Sequence, residues 1–222
     1  MIIKNGLAYQ EDKTFVKKDL YINDGKIVEG PEEVTDKTEV DATGLLVLPG
    51  LVDVHSHGAV GCDFSDGDME GLGKILTYER AHGVTSYCPT SMTIDKEELR
   101  RIFKAMGSFT ESGEMAHVAG INMEGPFLDV NKKGAHLAEH VMKPDVDFFR
   151  ECNAASGNKI RLVTLAPNVE GLSLIHIWNS PWAARRLLSH SQLNLPGRPA
   201  GGEGEREGAP EERVMLEFGI FC

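Results

Sequence analysis

The chain has 222 residues, 41% of them hydrophobic and 26% charged, with a formal net charge of -11; that is the balance of a soluble globular protein of one domain or about one and a half. The acidic excess leaves no basic surface for nucleic acid and repels an anionic membrane face, and no run of about eighteen apolar residues suggests a span. The N-terminus lacks a basic segment followed by an apolar core, and Cys62, Cys88, Cys152 and Cys222 show no CxxC spacing, so free thiols in a reducing cytoplasm are the simplest account.

The opening segment, residues 1–48, consists of short β-type runs punctuated by Asn5-Gly6 and Asp24-Gly25, dipeptides that read as hairpin turns in a small β layer. From residue 49 the rhythm changes. VDVHSH reads as a strand, MEGLGKILTYERAHG as a helix stopped by Gly83, and VTSYCPTSM as another strand. Asp95 is placed to cap KEELRRIFKAMGSF, with Glu98 three residues on completing a capping-box pattern. HVAGINMEG is strand-like, Pro144 opens a helical DVDFFRECNAA, and IRLVTLAP closes the series as a strand. Alternating strands and helices imply a parallel sheet, either doubly wound or a (β/α)8 barrel. Candidate chemistry at successive strand ends favours the barrel, of which about four units fit into residues 49–170, where a whole one takes eight and typically about 250 residues.

After Glu170 the character shifts. Every lysine lies at or before Lys159, the arginines from Arg185 onward carry the later positive charge, and Trp178 and Trp182 both fall here. RPAGGEGEREGAPEER lacks apolar periodicity and is expected to be disordered. LSLIHI, from Leu172 to Ile177, resembles the translated end of a transposon used in preparing sequencing libraries. Residues 171–222 are therefore expected to be a tail foreign to the rest of the chain, artefactual or disordered, and His176 and His190 within it are given no site role.

The chemistry centres on LVDVHSHG, Leu51 to Gly58. Alternate strand residues share a side, so His55 and His57 present two imidazoles in one direction at a strand end, a suitable place for a metal ion. Glu124 in INMEGPF ends another apolar strand, where a carboxylate needs a positively charged partner. In NKKGAH, small Gly134 and Ala135 allow close backbone approach of a ligand, and His136 has a ring nitrogen suited to donating to a substrate oxygen. His140 reads as structural or exposed, and His82, at a helix end before Gly83, as structural. His117 begins a strand at the end away from the site. DFSDGD, Asp63 to Asp68, lacks the remaining spacing of a calcium loop and reads as a polar turn, and Cys88 as a small buried hydrophobe.

LPGLVDVHSHG, VTSYCPTSM, GINMEGPFLDVNKKGAH and RLVTLAP together resemble the amidohydrolase superfamily, and within it the sugar-phosphate deacetylases, over residues 1–170. The resemblance implies an α/β fold: an incomplete (β/α)8 barrel of the amidohydrolase type beside the N-terminal segment of a small β-sandwich. It implies Glu124 as the main metal ligand, His55 and His57 as a pair for a second metal, and Ala135 and His136 as substrate contacts. The implied cofactor is a divalent ion, Zn2+ first, with Fe2+, Mn2+ or Co2+ as alternatives, one or two per full-length subunit of a homodimer. The implied reaction removes the N-acetyl group from N-acetylglucosamine 6-phosphate, giving glucosamine 6-phosphate and acetate. The catalytic Asp, two further metal-binding histidines and the phosphate-binding residues of such enzymes match nothing in this chain, which is expected to be inactive as written. Two other readings stand beside it: an amidohydrolase acting on a cyclic amide or another N-acyl substrate, and a non-enzymatic half-barrel fragment.

Overall fold

The structure is a computed structural model and describes residues 1–166, Val169 and the backbone of Leu187–Leu188. The opening segment builds two small sheets. One has the order β5-β4-β1-β6, with β1 at Ile2–Lys4, β4 at Leu20–Asn23, β5 at Lys26–Val28 and β6 at Glu39–Asp41; the other has the order β3-β2-β7, with β2 at Leu7–Tyr9, β3 at Phe15–Lys17 and β7 at Leu46–Val47. Asp24-Gly25 closes the β4/β5 hairpin with φ of 47° and 72°, the paired positive values a two-residue turn needs. Asn5-Gly6 does otherwise. Here β1 and β2 pair with different strands, so the dipeptide is a corner between two sheets and not a hairpin. Asn5 alone takes the positive φ, while its N–H bonds Asp19 and its side-chain amide bonds Asp41.

The second part is a parallel sheet whose strands follow one another in sequence order: β8 at Leu51–Ser56, β11 at Val84–Ser91, β12 at His117–Val118 with β13 at Ile121–Glu124, β14 at Ile160–Thr164, and β15 at Leu187–Leu188. β12 and β13 lie end to end along one edge of β11, interrupted at Ala119 and Gly120. Between β8 and β11 come a small hairpin, β9 at Gly58–Ala59 with β10 at Cys62–Asp63, and helix α1 at Met69–Ala81. Gly83, at φ 90°, follows α1 as its composition suggests. The carboxylates of DFSDGD serve as caps: Asp63 and Asp66 close a reciprocal box, and Asp68 accepts from the N–H of Glu70 at the start of α1. None of the helices among the described residues is long and apolar enough to cross a membrane.

Helix α2 spans Lys96–Gly107 and α3 spans Val146–Ala155. Asp95 caps α2 through the N–H of Glu97, but Glu98 completes no box, because its carboxylate turns outward to Arg101 one turn on. Asp145 caps α3 by accepting from the N–H of Phe148, so Pro144 stands just outside the helix rather than opening it. The buried residues Leu99, Ile102, Phe103 and Met106 follow the helical spacing of one apolar stripe, as do Leu72, Ile75 and Leu76 on α1. They join Tyr87, Ile121, Met123, Phe148 and Cys152 in one core. Arg100 ties α2 to α3, its guanidinium forking onto Glu151 at 2.7 and 3.0 Å.

Alternation along β13 sends Ile121 and Met123 into that core and leaves Asn122 and Glu124 on the opposite face. Asn122 donates to the carbonyl of Val54 on β8 and accepts from the Thr164 hydroxyl on β14. One side chain thus reaches a strand two positions away, so this face of the sheet is concave.

Where α2 ends against α3, a Cβ added at Gly107 would lie 2.3 Å from the Ala155 carbonyl oxygen, whereas one at Gly113 would meet nothing within 4 Å. Alanine ordinarily gains about 1 kcal/mol over glycine inside a helix. Gly107→Ala should instead lower the urea-unfolding free energy by about 1–3 kcal/mol, the usual range for overpacking, with Gly113→Ala nearly silent. A Gly107→Ala midpoint at or above that of the unsubstituted chain would contradict the close approach.

Candidate metal centre

Three imidazoles and one carboxylate meet beyond the C-terminal ends of β8 and β13. His55 is the penultimate residue of β8 and His57 lies one step past its end. Their rings stand 5.6 Å apart and nearly perpendicular, at 87°. Glu124 is the last residue of β13; its Oε2 lies 3.1 Å from His55 Nε2 and 3.2 Å from His57 Nε2. Its other oxygen, Oε1, faces His136 Nε2 at 3.4 Å. One atom each of His55, His57 and Glu124 falls within a 4.8 Å cluster.

The hydrogen-bond pattern assigns different tasks to the imidazoles. His57 Nδ1 is 3.0 Å from the Thr90 carbonyl, and a carbonyl only accepts, so Nδ1 carries a proton and neutral His57 has its lone pair on Nε2. This is the backing of a metal-binding histidine, whose second nitrogen donates to a carbonyl or carboxylate. His136 is the reverse. Its Nδ1 accepts the backbone N–H of Thr93 at 3.3 Å, which puts the proton on Nε2 and makes that atom a donor rather than a ligand. The Lys133 ammonium clips the same loop by donating to the His136 carbonyl at 2.6 Å.

Two lone-pair atoms facing one another at 3.1–3.2 Å need positive charge between them, whether a proton on an imidazole or a cation. Burial pushes the Glu124 carboxyl up, yet the hydrogen bonds from His55 and His57 outweigh it and hold the group far below the ordinary carboxylate range. The Glu124 contact raises His57 against the opposing effect of its own burial. Two imidazoles and a carboxylate are a donor set for Zn2+ and similar ions, so the residues present fit a divalent ion held by His55, His57 and Glu124.

The four residues His55, His57, Glu124 and His136, singled out in the sequence, are therefore brought together. Ala135 lies exposed in the loop beside His136. His82 bonds the Tyr78 carbonyl of its own helix and His117 bonds Glu111, both in other surroundings. Burial pushes the Cys88 thiol up to about 11, which leaves it a poor nucleophile. Sequence reasoning did not find Tyr87, Thr90, Thr93 and Asn122, whose polar groups brace the site. Of these Asn122 was discoverable, since it sits two residues before Glu124 in a strand and so shares its face. His176 and His190 lie outside the described residues.

No family model matches the chain. Among curated proteins it is 31% identical over 173 residues to the N-acetylglucosamine-6-phosphate deacetylase of Lysinibacillus sphaericus, covering 75% of this chain and 44% of that protein. It is 32% identical over 164 residues to the human protein of that name, covering 69% and 40%. The chain thus spans less than half the length of these relatives. Solved deacetylases of the same name superpose with a TM-score of 0.69 for the Mycobacterium smegmatis protein, at 25% identity over 85% of this chain and 53% of the other. For the Thermotoga maritima protein the TM-score is 0.64, at 26% identity over 80% and 46%.

Competition against a chromophoric chelator should show Glu124→Gln binding Zn2+ more weakly than the unsubstituted chain by at least ~100-fold, beyond what loss of a second-layer partner costs. His136→Ala should cost less, at most the ~10- to 100-fold of a second-layer partner, because its Nε2 is committed as a donor to the carboxylate. An equal loss in both would mean that His136 is itself a ligand.

Proposed function

We propose, from the homology of about three quarters of the chain to N-acetylglucosamine-6-phosphate deacetylases, that the chain represents part of a metal-dependent hydrolase that removes the acetyl group from N-acetylglucosamine 6-phosphate. The observation that carries the reading is the convergence of two imidazole Nε2 atoms on one oxygen of Glu124, with the His136 Nε2–H facing the other. In this reading residues 1–48 are the N-terminal part of a small β-sandwich and residues 49–170 the first half of a (β/α)8 barrel. Parallel strands in sequence order, and the reach of Asn122 across the concave face, support a barrel wall over a doubly wound sheet, whose strand order reverses.

His55, His57 and Glu124 hold the ion, with Zn2+ the first choice for this donor set. Such an ion polarises an amide carbonyl and brings the pKa of a water near 7. His136 orients the substrate by donating from Nε2 to one of its oxygens, and Ala135 leaves room for the sugar. Thr93 and Lys133 keep that donor aimed. Hydrolysis consumes one water and gives acetate and glucosamine 6-phosphate. The acid/base group, typically worth about 10²- to 10⁴-fold in rate, has no counterpart among the residues gathered here and is assigned, with the phosphate-binding groups, to later barrel strands. The tail from about Leu172 is assigned to an assembly or read-through artefact, and the complete protein is assigned to a cytoplasmic homodimer.

Resequencing the source DNA across the codons for Glu170 and Leu172 tests the assignment. The frame should continue into strands carrying two histidines, an aspartate and a phosphate-binding arginine. The protein encoded by that frame should release acetate from N-acetylglucosamine 6-phosphate, and treatment with a chelator should abolish the release. Turnover of a cyclic amide with none of the sugar phosphate would overturn the substrate, and confirmed coding of LSLIHIW would overturn the artefact.

A further inference from the structure

The two histidines are separated by Ser56, whose backbone is held by side chains in addition to its strand pairing. It lies opposite Pro89 of β11, at an irregular stretch of the pairing. The β8/β11 register shifts between Tyr87 and Pro89, and again nearer the start of the strands. At this shift the Tyr87 hydroxyl donates to the Ser56 carbonyl at 3.1 Å, and the Ser56 N–H donates to Thr90 Oγ1 at 3.1 Å. The Thr90 hydroxyl passes its own proton to the Cys88 carbonyl at 3.2 Å, leaving its oxygen to accept. The Thr90 carbonyl takes His57 Nδ1–H at 3.0 Å. Thr90 and Tyr87 are fully buried, so neither hydroxyl competes with solvent for these bonds.

We propose that Tyr87 and Thr90 are positioning residues, a clamp that reinforces the irregular β8/β11 pairing at Ser56 and sets His55 and His57 at the spacing needed to share one ion with Glu124. The clamp rests on the metal reading above. It acts on both sides of the histidine pair: Tyr87 and Thr90 fix the peptide between the rings, and Thr90 also fixes the tautomer of the second. Without it, the end of β8 would be held against β11 by irregular pairing alone, and the two Nε2 atoms would lose their common focus on Oε2.

Cobalt binding to the full chain tests this, because Co2+ reports affinity and ligand geometry through its visible absorption. Tyr87→Phe and Thr90→Val keep shape while removing the hydroxyls; each should weaken Co2+ binding about tenfold or more, within the range for second-layer partners, and alter the absorption band. Thr90→Ser should restore both. Phe103→Leu, a core change remote from the clamp, serves as a stability control and should leave affinity and band unchanged. If Tyr87→Phe does not fold, the Thr90→Val and Thr90→Ser pair decides. Unchanged affinity and spectrum in the clamp variants, or an equal loss in Phe103→Leu, would overturn the clamp alone. Failure of the unsubstituted chain to bind Co2+ would overturn the metal reading and the clamp with it.

Discussion

A carboxylate ending a strand between imidazoles is the constraint around which this structure is arranged. Glu124 sits where desolvation opposes its charge, and only the contacts from His55, His57 and His136 reverse that cost. Those three partners are 69 and 67 positions upstream and 12 downstream of it, so no local structure brings them together. Parallel strand pairing does so for the first two. The β8–β11–β13 order carries the ends of β8 and β13 to the same end of the sheet, and a loop after β13 returns His136 to the opposite oxygen. Each carboxylate oxygen thereby acquires a separate character: Oε2 faces two potential ligands, and Oε1 faces a donor.

The same alternation that builds the core builds the site. Ile121 and Met123 are buried against the helices, and Asn122 and Glu124 look the other way. A slip of one residue in β13 would put two polar groups into the apolar core and remove the carboxylate from the site in a single step. The core stripe of α2 and the inner polar pair of β13 therefore enforce one register together. Helix packing far from the chemistry, including the Arg100–Glu151 fork between α2 and α3, contributes to the site through that register.

How far the sequence disclosed this follows from the range of each interaction. Turn and helix signals acting over a few residues were legible: Asp24-Gly25, Gly83 and the Asp95 cap fall where their chemistry places them. Two of the local signals that misled did so for a common reason. Asn5-Gly6 can form a hairpin and Glu98 can close a capping box, but pairing across sheets took the strands flanking the first, and Arg101 took the carboxylate of the second. The candidate ligands were legible because His55-Ser56-His57 and Glu124 carry unusual chemistry at strand ends. Their supports were not, because Tyr87, Thr90 and Thr93 act through single hydroxyls or backbone groups whose partners are set only by strand register.

The tautomers carry this logic to the level of single protons. His57 and His136 are the same side chain meeting the same carboxylate, and nothing in their identity says which would bind an ion and which would donate. The difference comes from backbone groups on β11 and just beyond it: a carbonyl at Thr90 against one Nδ1 and an N–H at Thr93 against the other. Two backbone groups three residues apart thus give two histidines opposite polarity at Nε2, and that polarity divides the carboxylate into a side facing lone pairs and a side facing a donor. A change that displaces the Thr90 carbonyl or the Thr93 N–H can therefore leave every first contact in place and still spoil the site, since the distinction resides in which nitrogen holds the proton.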